Sequence, residues 1–197
     1  MTEFNLQQFY KSEFEEHLHV THRTQQEMYE CFKSLLEICT KCIQKGGKIL
    51  FFGNGGSAGD AQHLATELVV RYHKNRIPIA ALALTTDTSA LTAIGNDLGF
   101  DNLFSRQIEA LGNKEDVAIG ITTSGKSPNV LKGLEMARKK GLTAAALTGK
   151  GGGNLHGLAS PLLIVPSDTT ARIQEMHIML GQMLCDALEK KLKLETY

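Results

Sequence analysis

The stretch KILFFGNGGSAGDAQHLATELVVRY, residues 48–72, decides the reading of this chain. It opens on a short apolar run, Lys48–Phe52, passes through a glycine-rich loop, and enters a segment, Ala58–Tyr72, with helical periodicity. A strand that feeds a helix through such a loop is the unit of a parallel α/β sheet. The unit recurs downstream. Ile79–Leu84 is apolar and ends in the polar turn Thr85-Thr86-Asp87, and two short helices are expected over 88–111. Val117–Ile121 is the third expected strand, and Pro128 suits the first turn of the helix after it. Thr143–Leu147 and Leu162–Val165 are the fourth and fifth, and Ser167-Asp168-Thr169 can cap a last helix running to about Lys190. The strands lack polar alternation, as expected where helices bury both faces of a sheet.

Upstream, residues 4–44 contain no Gly or Pro and read as helix, with Met28, Phe32, Leu35, Leu36, Cys39 and Ile43 at helical spacing and Gly46-Gly47 as a stop. A helix pair of this length carries more apolar surface than one small domain needs, so residues 1–45 are expected in an oligomer interface. The 197 residues fit one domain spanning 1–197. Lys plus Arg and Asp plus Glu both number 21. Zero net charge gives no global pull toward nucleic acid or an anionic membrane and removes one barrier to self-association. No apolar run is long enough to span a bilayer, and the acidic start does not read as a signal peptide. Cys31, Cys39, Cys42 and Cys185 lack a second C-x2-C pair and read as buried or half-buried free thiols; with no export signal, the expectation is a cytoplasmic protein.

In a parallel sheet a ligand sits beyond the carboxyl ends of the strands. The loop Gly53–Asp60 offers backbone N–H groups and a helix N-terminus to an anion. The loop after the third strand offers the hydroxyls of Thr122, Thr123, Ser124 and Ser127, again before a helix. Together they suit a phosphate monoester without fixed cations. Gly53-x-Gly55-x-x-Ala58 also matches the loose dinucleotide fingerprint, but the acidic residue expected about 20 positions on is missing. A Walker loop is absent too.

His63 and Glu67, four apart, share a helical face and can either share a divalent metal or merely bond to each other. The last helix carries apolar residues on most sides, so Gln174, Glu175, His177 and Gln182 call for partners. Spacing alone nominates His177 as a ligand; a core histidine is the equal alternative.

The runs GNGGSAGDAQHLATEL, LTTDTSALTAIGNDLGF, TTSGKSPNV, LTGKGGG and ARIQEMHI resemble the phosphoheptose isomerases of the sugar isomerase (SIS) family over about residues 30–190. The resemblance implies a homotetramer with a three-layer αβα sandwich, and conversion of sedoheptulose 7-phosphate to D-glycero-D-manno-heptose 7-phosphate, a step toward the heptose of lipopolysaccharide. It implies that Asn54, Gly55, Gly56 and Ser57 line the sugar, with Asn96 and Asp97 beside it. Thr122, Thr123, Ser124 and Ser127 would take the phosphate. His63, Glu67 and Gln174 would be Zn2+ ligands, Gln174 also facing substrate and Glu67 also the general base. The family's remaining ligand, a histidine that also acts as acid and base, falls at position 182, where this chain has Gln182. It therefore displaces His177 as the nominee. Gln can offer an oxygen to a metal but cannot shuttle protons near neutral pH. Losing one such group typically costs roughly 100- to 10,000-fold in rate. An active-site variant, an enzyme with another proton route, and a binding protein without chemistry all fit Gln182. Thr122 stands where the family has Ser and keeps the hydroxyl. Two other readings belong to the same family: a tetrameric partner of the replication initiator DnaA, and a sugar-phosphate sensor, for which a DNA-binding module is lacking.

Overall fold

The computed structural model describes residues 4–194; residues 1–3 and 195–197 of the expected domain span lie outside the described residues. Five strands form one parallel sheet: β1 (Ile49–Gly53), β2 (Ala81–Ala83), β3 (Val117–Thr122), β4 (Thr143–Thr148) and β5 (Leu162–Ile164), in the order β2-β1-β3-β4-β5. Among the described residues seven α-helices accompany it: α1 (Leu6–Glu27), α2 (Tyr29–Gln44), α3 (Gly56–Val69), α4 (Thr88–Asp97), α5 (Leu103–Leu111), α6 (Pro128–Lys139) and α7 (Thr170–Leu192).

The strands explain the layers. Successive side chains point to opposite faces, so Ile49 and Phe51 go one way and Leu50 and Phe52 the other. The first pair joins a core with Val117, Ile119 and Ile121 under Leu35 and Cys39 of α2, Leu64 and Leu68 of α3, and Ile173, Met176 and Leu184 of α7. The second joins Ala118, Ala144 and Ala146 under Ile94 of α4, Leu103, Phe104 and Ile108 of α5, and Val130 and Leu134 of α6. The result is a three-layer αβα sandwich. All four cysteines are free; burial pushes the thiols of Cys39, Cys42 and Cys185 up, Cys42 to about 11 and Cys185 to about 12.

The expected helix pair is present and two expectations are corrected. Within 4–44 the division falls at Met28 (φ −103°, ψ −2°), although the main-chain N–H of Met28 still bonds to Thr24 O and that of Phe32 to Met28 O. The division lets α1 follow the start of α7, where Arg172 bonds to Glu13 and His17 to Glu175, while α2 lays Leu35, Cys39 and Cys42 on the sheet. Edge strand β2 shrinks to three residues because only β1 pairs with it. Thr169 sits at the start of α7 without capping it; its hydroxyl donates to Glu16 Oε1 at 2.6 Å.

The chain leaves β1 for β2 on one side and then crosses to β3 on the other. This opens a crevice between the carboxyl ends of β1 and β3, the switch point at which open α/β sheets bind ligands.

Candidate active site

Both loops nominated from the sequence meet at this crevice. β1 and β3 remain in register as far as Gly53 opposite Ile121. Gly55 then turns the chain through φ +57°, ψ −120°, a conformation suited to glycine, and α3 begins at Gly56. Ser57 is buried, 3% exposed, and its N–H donates to Asn54 O at 3.0 Å. Across the crevice Thr122 Oγ1 and Ser127 Oγ lie 3.1 Å apart, closing the hydroxyl loop, while Ser124 Oγ accepts the Lys126 N–H. Thr123 is half-buried between them. Hydroxyls and main-chain N–H groups ahead of α6 form a neutral cradle suited to a phosphate.

The second half of the site stands on two helix faces. Gly181 brings α3 and α7 together, since a Cβ there would lie 2.5 Å from Leu64 Cδ1. At this approach His63 and Glu67 of α3 meet Gln182 of α7. His63 Nε2 lies 3.0 Å from Glu67 Oε1 and 3.2 Å from the Gln182 amide nitrogen. Gln174 comes from α7 eight residues earlier, roughly 12 Å along the axis. Its amide lies over the glycine-rich loop, where a Cβ on Gly56 would be 2.6 Å from Nε2. Asn96 and Asp97 end α4, exposed, with Asn96 Nδ2 donating to Asp97 Oδ1 at 2.7 Å.

His177 does not join this group. It is 1% exposed, facing the core. Neither ring nitrogen reaches a hydrogen-bond partner. Burial pushes its pKa down to about 4, against a weaker opposing pull from the Thr148 main chain. The spacing that nominated it is the spacing of the apolar face of α7.

The geometry bears on a metal directly. One imidazole nitrogen cannot serve both neighbours: protonated, it donates to Glu67; unprotonated, it accepts from Gln182. A cation at that point, with the Gln182 amide turned to present its oxygen, would satisfy all three side chains. The residues therefore fit a divalent ion, though with few strong donors. Among the described residues no group of three His, Cys, Asp or Glu side chains is placed to hold one, so the set would rest on His63 and Glu67 with amide oxygens completing it.

Three features here had no signal in the sequence. Asn129, in the first turn of α6, exchanges two hydrogen bonds with Asn54. Asp60 has a buried carboxyl oxygen without a partner; burial raises its pKa and the nearby His63 pulls it down less strongly. Arg76 pairs with Glu189 of α7 at 2.9 Å, both buried, and donates to the main-chain carbonyls of Glu67 and Leu68, so it ties the end of α3 that carries Glu67. Burial pushes the Glu189 carboxyl up, but the N–H groups of Tyr72, His73 and Lys74 and the Arg76 guanidinium hold it below the usual range.

Comparison with known proteins agrees with this geometry. The SIS domain family matches residues 10–149. A phosphoheptose isomerase of Paramagnetospirillum magneticum is 59% identical over 92% of this chain and 94% of its own length. Phosphoheptose isomerase 1 of Campylobacter jejuni is 58% identical over 78% of this chain and 83% of its own. The solved structure of a phosphoheptose isomerase from Neisseria gonorrhoeae superposes with a TM-score of 0.89 at 43% identity, covering 94% of this chain and all of that one. The alternative of a replication-initiator partner finds no support in these matches. With the switch-point crevice, the hydroxyl loop and the His63–Glu67 pair all in place, this chain belongs to the SIS domain family, among the phosphoheptose isomerases.

Proposed function

We propose that the chain interconverts sedoheptulose 7-phosphate and D-glycero-D-manno-heptose 7-phosphate, supplying heptose for lipopolysaccharide or a related glycan. The observation that carries this is a carboxylate, Glu67, held beside His63 and Gln182 on the facing sides of α3 and α7, the two helices that start from the sheet edge bearing the Thr122–Ser127 cradle. The cradle takes the phosphate of an open-chain sugar, and Asn54, Gly55, Gly56, Ser57 and Gln174 line the carbons between. Glu67 removes the proton from C1 of the ketose and returns it to C2, so the enediol collapses to the aldose. The proton on O1 moves to O2 in the same step. Gln182 can orient a hydroxyl by hydrogen bonding but cannot carry that proton. His63, Glu67, Gln174 and Gln182 are the residues that would hold Zn2+, which when bound supplies polarisation of the carbonyl and stabilisation of developing negative charge.

We further infer a homotetramer in the cytoplasm. Phe9, Tyr10, Phe14 and Leu18 of α1 are exposed, and an apolar cavity of about 390 Å3 between α1, α2 and α7 is lined by Met28, Tyr29, Phe32, Met179 and Met183. Apolar surface of this extent supports association. Among the described residues no helix is long and apolar enough to cross a membrane.

The test is incubation with sedoheptulose 7-phosphate followed by NMR. Interconversion is expected. If neither this chain nor its Gln182→His variant converts the sugar, the proposal fails.

A further inference from the structure

The loops on either side of the switch point are tied to each other by one side-chain pair. Asn54 Nδ2 donates to Asn129 Oδ1 at 2.8 Å, and Asn129 Nδ2 donates to Asn54 Oδ1 at 2.8 Å. Asn129 is 1% exposed. A primary amide is the side chain that donates and accepts in one plane, so two of them close a planar ring of two bonds. The pair sits where the sheet stops doing this work: β1 and β3 hold register to Gly53 and Ile121, and the chains then part. Asn54 is the first residue beyond β1. Asn129 follows the hydroxyl loop directly, two residues after Ser127. The other side of that loop is fixed independently, where the Asn154 N–H donates to Gly125 O at 2.9 Å. The hydroxyl loop is thus held from two sides, and only the Asn129 side leads to the sugar.

We propose that Asn129 is a positioning residue that sets the span between the phosphate cradle and the sugar-lining loop Asn54–Ser57, and thereby selects the length of the phosphosugar. This rests on the reading above that residues 122–127 take the phosphate and residues 54–57 the sugar. A sugar anchored by its terminal phosphate presents C1 and C2 at a distance fixed by its carbon count. Adding or removing a carbon moves the reacting end by more than the ~1 Å whose misplacement can cost about 100-fold in rate. The rigidity of the frame between the two ends therefore decides how well seven carbons are told from five. Asn129 supplies that rigidity through Asn54, which it holds at both its oxygen and its nitrogen.

The experiment uses the full chain, as it stands and as Asn129→Ala and Asn129→Asp, with three probes: affinity for inorganic phosphate by titration calorimetry, and kcat/KM by NMR for sedoheptulose 7-phosphate and ribulose 5-phosphate. Asn129→Asp keeps the acceptor for Asn54 Nδ2 and loses the donated N–H, and it decides the matter if Asn129→Ala does not fold. Phosphate affinity should stay within about 2-fold, while the preference for seven over five carbons falls ~10-fold or more in Asn129→Ala and by less in Asn129→Asp. An unchanged preference with a lowered melting temperature would make Asn129 merely structural and overturn the proposal. So would parallel loss of all three probes. If the unsubstituted chain neither binds phosphate nor converts the heptulose phosphate, the cradle reading fails first, and the proposal built on it falls before any variant is compared.

Discussion

At the hydroxyl loop proposed to take the phosphate, Thr122 is 5% exposed and bonded to Ser127, Asn129 is 1% exposed and doubly bonded to Asn54, and the loop is closed by Asn154 on Gly125. At the end proposed to transfer protons the side chains of His63 and Glu67 remain 48% and 24% exposed, and a single imidazole nitrogen faces both Glu67 and Gln182. The first end stands on the tips of buried strands and inherits their rigidity. The second stands on the facing sides of α3 and α7, so its geometry depends on how two helices pack. On the proposed roles, binding energy is prearranged by the sheet, and chemistry is assembled by the helix pair. Substrate recognition and turnover should be separable by substitution.

The strongest way to break that separation is Glu67→Gln. The turnover rate should fall roughly 100- to 10,000-fold, because a positioned proton-transferring group contributes that much. Affinity for inorganic phosphate, measured by calorimetry, should not change. A parallel loss of phosphate binding would mean the two ends are one coupled unit.

The two ends also differ in how far the sequence disclosed them. The phosphate end was legible because its parts are local: apolar Ile49–Phe52 and Val117–Ile121 announce strands, and the hydroxyls follow within a few residues. His63 and Glu67 were legible as a pair for the same reason, being one helical turn apart. What brings Gln182 to them is the packing of α7 on α3 at Gly181 and Leu64, a contact across more than a hundred residues that no periodicity encodes. Asn129 was hidden because its partner lies 75 positions away, and an Asn after Ser127-Pro128 looks like ordinary helix-start chemistry. The break at Met28 has no Gly or Pro to mark it and follows from the need of α1 and α2 to pack on different surfaces. Spacing left His177 open between a ligand and a core histidine, and only the fold, which buries it at 1% exposure, shows that it is the latter.

His177 sharpens the comparison from inside α7, the helix that carries Gln174 and Gln182 outward. Burial lowers its pKa from 6.5 to about 4. Between those values the unfolded chain binds a proton that the folded chain does not, so stability is full above pH 6.5 and falls as pH drops through the window. The loss should reach about 3 kcal/mol by pH 4. Urea unfolding at pH 7 and at pH 4.5 should show it, and His177→Met, which removes the titration, should lose correspondingly less. An equal loss in both proteins would assign the acid sensitivity elsewhere, to carboxylates such as Glu189 whose lowered pKa makes its contribution fade as pH falls through the folded value.

Gln182→His tests the chemistry end most directly, with a smaller expected change. An imidazole at this position would stand beside His63, where the Gln182 amide now lies, and supply a group that titrates near neutrality. Turnover should rise by about 100-fold, the lower range for an added acid–base group, with phosphate affinity unchanged. Elemental analysis of both proteins separates the two ways this can happen. Equal metal content with faster turnover makes the imidazole a proton carrier. Metal found only in the His form makes the missing contribution a ligand, because an amide oxygen binds a divalent ion more weakly than an imidazole nitrogen does. Unchanged turnover with equal metal would mean that Glu67 and solvent already move both protons, and that the exposed end of the site is complete with Gln182 in place.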